Sequence, residues 1–206
     1  DIFSDGDITV NNNINGDSVT LNSGGLVDIN SPITANNNLT IGAYTGIDIG
    51  ANLQAGDTLT LIADNDTDGS GSIIRTLGTI VAPYIILSGV DIGTSASPII
   101  TDAGTLEAYA GSGNTTGGVY ISELNQIDLA GISTNDGDIE INAGGTIDVS
   151  GDVIAGNSNT ISLTTSGAIV QSGGIVGDDS STGNTTTLIL SSANGINLLT
   201  DITNLQ

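Results

Sequence analysis

The sequence predicts an all-β chain wound as a β-solenoid of about nine coils, each roughly 20–27 residues long. Three observations carry that expectation. A motif of two apolar residues flanking any residue recurs along the chain, with a third apolar residue four positions on. A second alternating tripeptide lies between successive copies. Segments rich in Gly, Asn and Asp separate the two.

The first motif reads Ile8-x-Val10…Ile14, Val27-x-Ile29…Ile33, Ile47-x-Ile49…Leu53, Ile74-x-Thr76…Ile80, Ile147-x-Val149…Val153 and Ile196-x-Leu198…Ile202. Looser copies begin at Val90, Ile127 and Val170, which makes the steps 19, 20, 27, 16, 37, 20, 23 and 26 residues. The second element reads VTL at 19–21, LTI at 39–41, LTL at 59–61, IIL at 85–87, LEA at 106–108, IEI at 139–141, ISL at 161–163 and LIL at 188–190. Both alternate with a period of two, the signature of strands with one buried face. The intervening GG, AGD, NNN, SGG and NDG segments supply turn conformations and side-chain-to-backbone hydrogen bonds, as does GDD at 177–179. A sandwich of hairpins has no reason to repeat one motif in phase. Stacked coils do, because equivalent positions fall on one another and bury a continuous apolar column. The 37-residue step marks residues 109–126 as an expected insertion in an otherwise single solenoid segment spanning 1–206.

Composition fits this architecture. The chain has 30 Gly, one Phe, four Tyr and no Trp, so its core must be built from Ile, Leu and Val. Twenty-three acids face one base, Arg75, for a net charge of −22. Such a surface repels nucleic acid and anionic membranes and favours cations and water. No run of 18 apolar residues is present, so no helical membrane insertion is expected. Cys is absent, which rules out a disulfide framework. Met is absent as well, and both ends read as repeat halves, so the chain is expected to be an excerpt or a processed piece. Its expected partners are flanking repeats, or identical subunits, at the open solenoid ends.

Aligning the outward residue of the first motif gives a ladder of Asp28, Asp48, Arg75, Asp91, Asp128 and Asp148. With Arg75 between Asp48 and Asp91, two repulsive steps become attractive, each worth about 1 kcal/mol in water. A candidate calcium loop begins at Asp64, with Asp66, Asp68 and Gly69 at EF-hand spacing. Its twelfth position, where the bidentate acid belongs, is Arg75, and its flanks read as strands. No other cofactor is expected. His, Cys and Lys are all missing, which removes most nucleophile-base pairs and metal sites. Only carboxylates remain for catalysis. Asp128 and Asp148 are one candidate pair at the ~5–5.5 Å separation of retaining glycosidases. With four Tyr as the main aromatic platform, a non-enzyme is expected.

The stretches GIDIGANLQAGDTLTLIADNDTDGSGSI, GGVYISELNQIDLAG and GDIEINAGGTIDVSGDVIA resemble filamentous-haemagglutinin-type repeats of large secreted bacterial exoproteins. The resemblance runs from about residue 7 to 202, without the amino-terminal secretion region of such proteins. It implies a right-handed parallel β-helix, export to the cell surface, and a role in adhesion or fibre formation towards a host or neighbouring cell. It brings no catalytic residues. A self-assembling filament subunit and, more remotely, a polysaccharide-active β-helix enzyme are the alternatives.

Overall fold

In the computed structural model the chain is all-β and winds as a parallel β-solenoid; residues 1–157, 159–177, 186–198, 200–201 and 204–205 are described. Apart from one 3₁₀ turn at Ser112–Asn114, every described regular element is a strand, and every ladder between strands is parallel. Ile202 and most of the turn at 177–179 lie outside the described residues. No helix among the described residues is long and apolar enough to cross a membrane.

Each coil in the amino-terminal half has three faces. The first holds Ile8–Val10, Leu26–Ile29, Gly46–Ile49 and Ser72–Arg75. The second holds Ile14–Gly16, Ile33–Ala35 and Leu53–Ala55, and the third Val19–Ser23, Leu39–Ala43 and Thr58–Ile62. Alternate side chains point inward, as the period of two requires. On the first face one interior column runs Ile8, Val27, Ile47, Ile73, Ile92, Val119, Ile139, Ile161 and Leu188, in strand register throughout. All but Ile8 are fully buried. Eight turns separate its ends, and at ~4.8 Å per rung the stack is about 40 Å long.

The column departs from the expected copies in two ways. First, Ile73 takes the interior place opposite Ile47, and Ile74 is 39% exposed. The sequence offers two adjacent Ile, and a one-residue slip of a strand exchanges its faces. The same slip separates Ile169, which pairs with Ile147, from Val170.

Second, the motif changes face midway. Ile8, Val27 and Ile47 share the first-face column, whereas Ile127, Ile147, Ile169 and Ile196 stack in a different one. That column continues the third face, because Asp128 and Leu129 pair with Thr105 and Leu106, and these pair with Tyr84 and Ile85. The second element moves with it: LTI at 39–41 lies on the third face, and IEI and ISL lie on the first. The two elements have therefore exchanged faces. The exchange takes place across two long strands, Ile80–Gly89 and Ile99–Ala110, which run straight through the corner between the second and third faces. A bulge at Leu106/Glu107 then divides the third face into Ile127–Leu129 and Ile132–Thr134 pairings.

This exchange of faces corrects the expected insertion. Residues 109–126 are not an appendage: Val119–Glu123 pairs with Ile99–Thr101 below and Ile139–Ala143 above, as a regular rung. The 37-residue step arose because Val90 and Ile127 sit on different faces. Counted down the true column, no step exceeds 27 residues.

Close stacking also dictates small residues at the corners. A Cβ on Gly151 would fall 1.7 Å from the carbonyl oxygen of Ala130 in the preceding coil, whereas one on Gly6 would meet nothing within 4 Å. Gly151→Ala should therefore lose ~1–3 kcal/mol as coil spacing opens, and Gly6→Ala should be neutral or gain up to ~1 kcal/mol. Urea midpoints of the two variants check this; equal midpoints would contradict the close approach.

Candidate functional site

The carboxylates of the expected ladder form two separate pairs. Asp28 and Asp48 are directly opposed on the first face, and Asp128 and Asp148 on the continuation of the third. Above Asp48 comes Ile74, because Arg75 pairs with Ile49. The Arg75 guanidinium is bound to carbonyls instead, through Nε to Pro98 (2.8 Å) and Nη1 to Gly78 (3.4 Å). Asp91 precedes the column residue Ile92; its Oδ1 accepts the Gly118 N–H at 3.0 Å, and its own N–H donates to Ser72 Oγ. The expected relief of Asp48 and Asp91 by Arg75 thus does not form. Burial first, and Asp28 second, hold the Asp48 carboxyl above its ordinary range.

The calcium-like loop occupies the corner between the third and first faces, after Thr58–Ile62 and before Ser72–Arg75. Asp64, Asp66 and Asp68 can each place an oxygen within 4.8 Å of the others. Asp64 is buried and closes the loop itself, with Oδ1 accepting the Asp68 N–H (3.1 Å) and Oδ2 the Gly69 N–H (3.2 Å). Thr67 and Gly69 take the left-handed conformation at φ 57° and 85°. Asp68 Oδ1 accepts the hydroxyl and the N–H of Ser70, which hold its carboxyl below the usual range. These bonds account for the loop without a cation.

Glu123 has the deepest environment of the glutamates, 3% exposed, in an interior column that reads Ile14, Ile33, Leu53, Ile80, Thr101, Glu123 and Ala143. Its Oε2 accepts the Thr101 hydroxyl (2.8 Å) and the Ala103 N–H (3.0 Å), and Oε1 the Asn125 N–H (2.9 Å). Burial raises its carboxyl above 4.5, and the three donors partly oppose that. Sequence reasoning missed it. Its signal was the break in the alternation, where an acid takes an inward position in the alternating VYISE.

On the third face Tyr84 and Tyr109 both donate to Glu107, one to each carboxylate oxygen. For Tyr84 mainly the bond to Glu107, and for Tyr109 mainly burial, pushes the phenol up to about 12, so both rings stay neutral in ordinary buffers. Two rungs along the Tyr84 column come Asp128 and then Asp148. These two line a cleft of about 240 Å³ with Gln126, Thr146, Gly104 and Val170. Oδ1 of each is buried and accepts no hydrogen bond; they are the only such side-chain atoms among the described residues. Of the expected site residues, this pair alone is brought together with its needs unmet. No family model, no curated protein and no solved structure matches the chain.

Proposed function

We propose that the chain is a structural, non-catalytic segment of a secreted bacterial surface fibre or adhesin, of the filamentous-haemagglutinin kind its repeats resemble. The observation that carries this reading is the unbroken interior column from Ile8 to Leu188, which makes each coil a support for the next. Such a stack transmits load along its axis through parallel hydrogen-bond ladders and packed aliphatics. The −22 charge keeps the rod hydrated and apart from anionic surfaces. Extracellular life also suits a chain whose one trypsin site, Arg75, lies within a strand paired to Gly46–Ile49.

Antibodies raised against the purified chain should label intact, unpermeabilised cells of the organism that makes it. Label that appears only after permeabilisation would refute surface display. Electron micrographs of the purified chain separate a fibre segment from a self-assembling subunit: isolated rods about 40 Å long support the segment, and long polymers support the filament.

A further inference from the structure

We propose that the cleft between Phe3 and Tyr44 binds a neutral saccharide, seating a short stretch of a glycan chain. Of the one Phe and four Tyr in the chain, the Phe and one Tyr line this cleft of about 390 Å³. Phe3 is 69% exposed and Tyr44 42%. Aromatic rings left in water beside polar groups suit a ligand with an apolar face and a polar rim, and a pyranose ring has both.

Strand register builds the floor. On the third face the outward column reads Phe3, Asn22, Gly42 and Ile62. Gly42 leaves a gap in it: a Cβ there would fall 2.6 Å from Asn22 Oδ1 and 3.3 Å from Asn65 Nδ2. Two amides, one from the preceding rung and one from the following coil, therefore lean over the same bare position. Phe3 lies two rungs from Gly42, about 10 Å, which is the length of a disaccharide. Asn65 is held in place by its N–H, which donates to the Ala43 carbonyl at 3.0 Å, and by Asp64, whose carboxylate closes the surrounding loop. The calcium-like loop thus serves to position an amide at the cleft.

The lining selects the ligand. Neither the Asn22 nor the Asn65 side chain has a hydrogen-bond partner among the described residues, and each offers donors and an acceptor. Sugar hydroxyls use both. Asp5, also in the lining, adds a carboxylate acceptor. No base lines the cleft and the chain carries a net charge of −22, so acidic glycans are repelled. Strand addition by an extended peptide is blocked, because Val19–Ser23 and Leu39–Ala43 are already paired on both sides. The inference stands apart from the fibre reading: display is tested on cells, and the cleft on the purified chain.

Saturation-transfer NMR of the whole chain with free cellobiose, chitobiose, lactose and maltose tests the site, with a sulfated heparin disaccharide alongside. The expected result is saturable binding of at least one neutral disaccharide, with a Kd of about 10⁻³ M. Phe3→Ala and Tyr44→Ala, at exposed side chains, should keep the wild-type urea midpoint and each bind at least ~5-fold more weakly. Asn65→Ala should weaken binding as well, and Tyr109→Ala should leave it unchanged. No saturable signal from any neutral disaccharide up to about 10 mM, well above that Kd, overturns the proposal. So does binding that survives both Phe3→Ala and Tyr44→Ala, or that is confined to the sulfated sugar.

Discussion

Ile73→Asp should unfold the protein or cost more than about 4 kcal/mol, whereas Ile74→Asp next to it should cost about 1 kcal/mol or less. Ile73 has no solvent exposure and sits between Ile47 and Ile92 in the interior column, so an aspartate there would be an unpaired charge among aliphatics. Ile74 is 39% exposed and lies opposite Asp48. A carboxylate at 74 meets water and one like charge on the next rung, a repulsion of about 1 kcal/mol. Urea unfolding followed by far-ultraviolet circular dichroism measures both. The reverse order of effects would restore the alternative phase, with Ile74 inside, and with it the Arg75 ladder.

Glu123→Ala should cost about 3–5 kcal/mol, because it removes the acceptor of three donors at once. The Thr101 hydroxyl and the N–H groups of Ala103 and Asn125 would be left without it, in a column already 3% exposed or less at Thr101 and Glu123. Glu123→Leu should not rescue the loss, since filling the volume leaves the donors unmet. A Leu variant as stable as the wild type would show that these bonds contribute little.

The same residue sets a pH dependence. Its folded pKa is raised above the ordinary 4.5, so the folded state binds the proton more readily than the unfolded chain does. The penalty for its charge is fully present above the folded value, is relieved as pH falls through it, and is gone below 4.5. Asp48, raised for the same first reason, acts in the same direction from 3.8 upward. Denaturant midpoints measured from neutral pH down towards 4.5 should therefore rise by the share these two groups contribute. In Glu123→Gln the rise should be smaller. An unchanged slope in that variant would remove Glu123 as its source.

Much of the architecture was legible in the residues alone. Inward Ile, Leu and Val at a period of two, turn segments between them, and a core without aromatics left stacked parallel strands as the consistent solution, and the column from Ile8 to Leu188 has that form. Phase was not legible. Ile73 and Ile74 are equivalent to any pattern, and so are the tripeptides IDI at 47–49 and IDV at 147–149, although they lie on different faces. The aspartate ladder failed for that reason: it joined two pairs that the solenoid places in different columns. Glu123 was hidden because an acid in an alternating strand reads as solvent-facing until its neighbours are known.

By itself the sequence determined the class of fold and the chemistry it can present, because alternation, turn residues and charge are local properties. Register, the change of face across Ile80–Ala110, and the meeting of Asp128 with Asp148 belong to the tertiary structure. They depend on which strand lies above which, and the packing of whole coils decides that where several local alignments are nearly equal in energy.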